Sequence, residues 1–195
     1  MSESSDQYSC PEAENHDEQN AELNAILHLW HDRLSQWARS GRLGNAAQIA
    51  LRLDPDHQGL QSFVRRIAEN NVQDLPGVIC LGPEAMEDSP GAYCADRKLI
   101  LLNSDWLGTA LEEQVVALLC EQLGHHLDVL FNQVDTPGDE GELFLECLRS
   151  QPSKTTVEMY RKTNEEAGIV HLEGEDLVVD EAGVGAICLD LRDLS

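Results

Sequence analysis

Two residues with side chains that can bind a metal ion lie four positions apart in the stretch EEQVVALLCEQLGHHLD, residues 112–128. They are Glu121 and His125, and this spacing puts both on one face of an α-helix, with their Cβ atoms about 5–6 Å apart. A carboxylate and an imidazole at that separation could share a divalent metal ion. Asp128, three residues further on, is expected on a neighbouring part of the same face.

The same stretch has the apolar periodicity of a helix. Its apolar positions are Val115, Val116, Leu118, Leu119, Leu123, Leu127 and Leu130. This spacing predicts a half-buried helix over 111–131 that faces a core. Gly124 lies directly before His125, although a glycine in a helix interior costs about 1 kcal/mol. We therefore expect another part of the chain to come close to the backbone at this glycine.

Composition and periodicity divide the chain into three segments. Residues 1–20 are polar, acidic and aperiodic, so they are predicted to be disordered. Residues 21–70 have apolar residues at helical spacing and are predicted to form two or three helices. Residues 71–195 combine the 111–131 helix, a second helix beginning at Asp139-Glu140, and several short β-forming runs.

The β-forming runs predict a small sheet. The apolar run 78–81 predicts a buried strand, runs 91–93 and 99–103 predict a hairpin, runs 168–172 and 177–180 predict a second hairpin, and 187–191 predicts a final strand. The fold expected is therefore α+β, with a mixed or antiparallel sheet of about three to five strands packed on the 111–131 helix, and an N-terminal helical segment.

The charge of the chain restricts its partners. The net charge of −23 arises from 36 acidic and 13 basic residues, which argues against binding to nucleic acid or to an anionic membrane surface. The acidity is explained either by solubility or by attraction of cations such as calcium or of a basic substrate. No apolar run approaches the roughly 20 residues of a membrane span.

The cysteines and the N-terminus favour a cytoplasmic protein. The six cysteines are scattered, without any CxxC pair, as a reducing compartment permits. The first residues, MSESSDQYSC, lack the basic and apolar regions of a secretory signal peptide.

The order of these motifs resembles that of a known class of enzymes. A hairpin of the form GAY…LILLN, a helix carrying Glu121-Gln122-Leu123-Gly124-His125, and a second helix beginning DEGELF resemble the minimal core of zincin metallopeptidases, particularly the ImmA/IrrE-like group. In that group the first helix reads His-Glu-Leu-Gly-His. The resemblance implies that Glu140 is a third metal ligand beside Glu121 and His125, and that zinc is the metal.

A closer resemblance covers residues 77–150. The run LLNSDWL…EEQVVALLCEQLGHHLD…DTPGDEGELF is similar to the N-terminal module of large cyanobacterial proteins that often carry haemolysin-type calcium-binding repeats further on. Those repeats are absent from this sequence. This second resemblance implies a fold and no settled activity.

Two positions depart from the zincin pattern. Glu121 replaces the first histidine, and a carboxylate still binds zinc. Gln122 replaces the glutamate that takes a proton from metal-bound water, and loss of a general base typically costs roughly 10²–10⁴ in rate. Gln122 therefore occupies the catalytic general-base position, and two alternatives stay open: an active metallopeptidase, or a domain silenced by a natural or introduced glutamine.

Three functional hypotheses follow. The leading one is a metallopeptidase-like domain that acts on a peptide or protein through metal-activated water. The second is a non-catalytic module that keeps the scaffold and binds a peptide or protein partner at a sheet edge. The third is calcium binding by the acids at positions 128, 135, 139, 140 and 142, whose spacing does not match an EF-hand. The structural alternative is a solvated Glu121 and a His125 that hydrogen-bonds a carboxylate of the second helix.

Overall fold

A computed structural model describes residues 11–86, 89–134, 136–163, 167–172 and 174–182, with the backbone alone for residues 11–19. Its helices are α1 (Pro11–Ser40), α2 (Arg42–Ala50), α3 (Gln58–Ala68), α4 (Pro83–Met86), α5 (Ser104–Leu107), α6 (Glu112–Phe131), α7 (Glu140–Arg149) and α8 (Lys154–Tyr160). Its strands are β1 (Gly77–Leu81), β2 (Gly91–Cys94), β3 (Leu99–Asn103), β4 (Ala167–Leu172) and β5 (Glu175–Glu181). The predicted strand 187–191 lies outside the described residues.

The five strands form one mixed sheet in the order β1-β3-β2-β5-β4. β1 runs parallel to β3, and the other pairs of neighbours are antiparallel. The predicted α+β class and its N-terminal helices are confirmed, and so are the two hairpins, β2–β3 and β4–β5. A local alternation of strand-forming runs and polar turns is enough to specify these hairpins.

β1 was predicted to be a buried strand, and this prediction is wrong. It lies at the edge of the sheet, where Gly77 and Cys80 are exposed and the other residues are half-buried. Val78 packs on the main core, whereas Ile79 and Leu81 pack on a smaller cluster across the sheet. A strand with apolar contacts on both faces gives a continuous apolar run even at an edge, so the run does not reveal the position of the strand.

The N-terminal helices share one core with the rest of the chain. Trp30 and Leu34 of α1 and Phe63 of α3 are fully buried in the same cluster as residues of α6, α7 and the sheet. The predicted boundary at residue 70 therefore does not separate two cores.

α1 begins at Pro11, ten residues before the predicted start at Ala21. Half of the segment predicted to be disordered thus lies in α1, and residues 1–10 lie outside the described part. Proline is favourable in the first turn of a helix, and the acids that follow it interact favourably with the N-terminal end of the helix dipole.

α6 was predicted to be half-buried, but every residue from Val115 to Asp128 is buried. α1, α2, α7 and β2 all contact it. Leu130, predicted to lie on the apolar stripe, is 41% exposed near the end of the helix. The spacing of apolar residues did not predict the full burial of α6, because its polar residues have partners in distant parts of the chain.

Gly124 lies where α6 and α7 cross. A Cβ atom at this position would lie 2.7 Å from the Cα of Gly141 and 3.0 Å from the Cβ of Phe144. The expected approach to the backbone is thus confirmed, and α7 is the element that makes it. Since both residues at the contact are glycines, the two backbones come closer than any side chain would permit.

We expect Gly124→Ala to lower the free energy of unfolding by about 1–3 kcal/mol, the usual cost of overpacking a core. Gly44→Ala is the matched control, because it also lies within a helix but its Cβ would meet only Val64 Cγ2 at an ordinary 3.7 Å. The control is expected to gain up to about 1 kcal/mol from helix propensity. Urea unfolding of both variants measures the difference, and equal stabilities would contradict a tight crossing.

Candidate site at the crossing of α6 and α7

The crossing brings two of the predicted ligands into direct contact. His125 Nδ1 and Glu140 Oε1 are 2.9 Å apart, and each side chain is only 3% exposed. Glu140 stands in the first turn of α7, which begins where the Asp139 carboxylate accepts a hydrogen bond from the Glu142 N–H. The structural alternative was therefore right in one respect, because His125 does hydrogen-bond a carboxylate of the second helix.

Glu121 lies one turn before His125 on α6 and is fully buried. The expectation that it is solvated is wrong. Its carboxylate interacts electrostatically with His125 and with Arg149 of α7. Burial lowers the pKa of the Arg149 guanidinium, and four groups oppose this shift, in decreasing order Cys120, Glu146, Tyr160 and Glu121. The fully buried Glu121 thus lies within reach of two cationic side chains, His125 and the half-buried Arg149.

His125 is charged in this arrangement. Burial alone lowers its pKa, but the hydrogen bond with Glu140 and the charges of Glu140, Glu121 and Asp139 outweigh that effect and raise the pKa to about 10. The imidazolium therefore forms a buried ion pair with Glu140 across the two helices at neutral pH.

Three further carboxyl groups surround this ion pair, and we call them the acidic rim: Asp139, Glu142 and Asp180. Burial raises the pKa of each, and His125 opposes the shift in all three. Sequence reasoning did not place Asp180 here. It lies on β5, opposite Tyr93 of β2, and only the strand pairing, which a single sequence does not display, could have located it.

Gln122 is fully buried, and neither atom of its amide has a hydrogen-bond partner among the described residues. An amide has no useful basicity, so the position cannot supply a general base. Burial of an unpaired amide lowers the free energy of unfolding by about 1–3 kcal/mol.

The neighbouring polar residues of α6 have structural partners. His126 donates from Nε2 to the Asp74 carbonyl at 2.9 Å, and its Nδ1 accepts from the Tyr93 hydroxyl at 2.8 Å. Burial lowers the pKa of His126, consistent with this neutral tautomer. The Asp128 carboxylate accepts from the Thr136 N–H at 3.1 Å and from Asn132 Nδ2 at 2.6 Å. Asp135, proposed as a calcium ligand, lies outside the described residues.

The donor set does not fit a metal ion in this arrangement. Among the described residues, no three His, Cys, Asp or Glu side chains gather closely enough to hold one. His125 Nδ1 is hydrogen-bonded to Glu140. Its Nε2 faces Gly141, and a Cβ atom built at Gly141 would lie 2.3 Å from this nitrogen. Glu121, His125 and Glu140 therefore lie together as an electrostatic cluster, without the geometry of three ligands.

The chain was compared with protein-family models, with curated proteins and with solved structures, and none of them matched. The resemblance to zincins thus stays a prediction. Within the described residues, no helix is both long and apolar enough to cross a membrane.

We expect stability to fall as pH rises from about 6.5 to about 10. The pKa of His125 is about 10 in the folded chain and about 6.5 in an unfolded one. A raised pKa contributes stability that is complete below the unfolded value and is lost as pH passes the folded value. Urea unfolding across this range checks the slope, which should be smaller in His125→Ala.

The same variant should lose about 3–5 kcal/mol near neutral pH, because Glu140 is left buried without its cation. His171→Ala is the matched control. It removes a second His–carboxylate pair, with Asp176, in which both side chains are 70% exposed, and an exposed pair contributes at most about 1 kcal/mol. Equal losses in the two variants would contradict a buried ion pair.

Proposed function

We propose that this chain is a non-catalytic module on a zincin-like scaffold that binds an extended, basic peptide segment over β4 and β5, beside the acidic rim. The observation that carries the proposal is an exposed apolar pair next to that rim. Ile169 of β4 and Val178 of β5 are cross-strand partners, 60% and 68% exposed. Val178 precedes Asp180 by two residues, so both side chains lie on the same face of the sheet.

Nearer the centre of the sheet, the helices cover this same face. Tyr93, which is paired with Asp180, reaches His126 of α6 from it. β4 and β5 extend the sheet beyond that contact, and there Ile169 and Val178 remain exposed. A bound segment would cover both side chains and end against the acidic rim.

Charge complementarity selects a basic segment. The three rim carboxyl groups destabilise the folded chain when they are ionised, because burial raises the pKa of each. A lysine or arginine of the partner would pair with them, and charged hydrogen bonds of this kind contribute more than neutral ones. The net charge of −23 would speed the encounter with such a partner.

β4 also offers backbone hydrogen bonds. Within the described part of the chain it pairs only with β5, so it forms one edge of the sheet. An extended peptide that adds to such an edge gains main-chain hydrogen bonds, and alternate side chains then contact the face that carries Ile169.

We expect a peptide of alternating valine and lysine to bind, and a matched peptide of alternating valine and glutamate to fail. Asp180→Asn should weaken binding about tenfold, the effect of removing a charged hydrogen bond. Asp56→Asn removes an exposed acid from the α2–α3 loop and should bind as the wild type does. Fluorescence anisotropy measures all of these affinities. Binding of both peptides alike, or unaltered binding by Asp180→Asn, would refute the proposal.

The same variant separates binding from folding. Because burial raises the pKa of Asp180, its ionised form destabilises the folded chain at neutral pH. Asp180→Asn should therefore unfold at a higher urea concentration than the wild type while binding more weakly. A loss of both stability and binding would indicate a structural role instead.

The rival function is hydrolysis of a peptide bond at a divalent metal, expected to be zinc, with Glu121, His125 and Glu140 as ligands. What favours it is that the crossing gathers all three predicted ligands, since Glu121 and Glu140 both act electrostatically on His125. The proposal of a non-catalytic module rests instead on the buried, unpaired amide of Gln122 and on the ion pair that occupies His125 Nδ1.

Gln122→Glu with added zinc separates the two functions. The non-catalytic module predicts no cleavage of a peptide library by this variant and no divalent ion in the protein purified without chelator. It also predicts a melting temperature that does not rise with zinc or calcium. Hydrolysis by Gln122→Glu, or one bound ion that His125→Ala loses, would establish the metal site.

A further inference from the structure

A cavity of about 750 Å³ lies between the start of α2 and the end of α7, away from the crossing. Its polar lining includes Ser40, Arg42, Asn45, Ser150 and Gln151, and its apolar lining includes Ala46 and Ile49. This volume lies within the range of cavities that bind small molecules.

The lining is unusual for so acidic a chain. Acids outnumber bases by 36 to 13 in the sequence, yet no described aspartate or glutamate lines this cavity. The acid nearest along the chain is Glu146, one turn before the end of α7, and its Oε1 accepts a hydrogen bond from Ser150 Oγ at 2.7 Å. Both serine hydroxyls donate elsewhere, Ser40 to the Trp37 carbonyl and Ser150 to Glu146. The donors left at the lining therefore belong to Arg42, Asn45 and Gln151.

Arg42 is held in place at this lining. Its Nη2 donates to the carbonyl of Arg149 at the end of α7, which is its one hydrogen bond to a described residue. A guanidinium has five N–H donors in a fixed plane. The contact with Arg149 orients that plane and uses one donor, so the others remain for a ligand.

A second guanidinium stands beside the cavity. Arg161 donates from Nη2 to the carbonyl of Ile49 at 3.2 Å, and its buried Nε has no partner among the described residues. Its charge also acts on Cys147, a lining residue whose pKa burial raises to about 12. The Glu146 carboxylate opposes the effect of Arg161 on this thiol and acts more strongly than Arg161 does. The thiol therefore stays neutral, and Arg42 is the cation that lines the cavity itself.

We propose that this cavity binds a small molecule through a carboxylate or phosphate group, with Arg42 as the main charge contact and Asn45 and Gln151 as further donors. Arginine suits both groups because its planar fork matches paired anionic oxygens. The contact with Arg149 has a structural explanation of its own, since a cation stabilises a helix C-terminus. That role uses one N–H and leaves the other donors of Arg42, together with the amides of Asn45 and Gln151, at a lining that includes no described acid.

Titration of the full-length chain with inorganic phosphate and with succinate, followed by 1H–15N NMR, tests the site. Saturable shifts are expected at the side-chain amides of Asn45 and Gln151 and at Arg42 Nε. A response to phosphate alone or to succinate alone supports the site and identifies the preferred group. The absence of saturable shifts with both probes would overturn it.

Three variants distinguish binding at this cavity from a general effect of surface charge and from a loss of folding. Arg42→Gln should weaken binding about tenfold or more. Asn45→Asp should abolish binding while the contact between Arg42 and Arg149 is kept, so a loss there cannot be attributed to the end of α7. Arg52→Gln removes the same charge from an exposed position outside the lining and should bind as the wild type does. Equal weakening by Arg52→Gln, or wild-type affinity in Asn45→Asp, would overturn the proposal.

Discussion

The ion pair between His125 and Glu140 depends on the absence of two side chains. Gly124 lets the backbone of α7 approach α6, and Gly141 leaves the space that the His125 ring fills. Once the helices are this close, two opposite charges are taken out of water together, and neither can be removed alone without leaving the other unpaired. The position of the acidic rim follows, because Asp139 and Glu142 belong to the turn of α7 that the crossing fixes.

α6 joins the parts of the fold through polar residues that face inward. His126 connects it to β2 and to the loop before β1, and Asp128 connects it to the loop that leads to α7. Buried groups of this kind are stabilising only when their hydrogen bonds are satisfied. Gln122 is the exception among them, since neither atom of its buried amide has a hydrogen-bond partner among the described residues. Under the proposed zincin-like interpretation, this destabilising group lies at the position that a general base would occupy.

Local patterns predicted α6, α7 and both hairpins, but they predicted neither α4 nor α8 nor most of the long-range contacts. The helix α6 and both hairpins follow from the spacing of apolar residues and turns over short stretches. The complete burial of α6 does not, since the partners of its polar residues include Asp74, Tyr93 and Thr136. His125 and Glu140 were placed together by their motifs, but the form of their contact depends on Gly141. Asp180 was missed because it joins the rim only through the register of β5.

The pairing of β2 with β5 has a kinetic consequence. It joins Ala92 to Glu181, and the chain between them includes both α6 and α7. Contacts that close so long a loop generally form late, because the entropy of closure must be overcome before they add stability. The helix crossing involves residues much closer in sequence and does not require β5. Local opening of the β4–β5 hairpin, a type of motion common at the margins of a fold, would therefore remove Asp180 from the helices while His125 stays paired with Glu140.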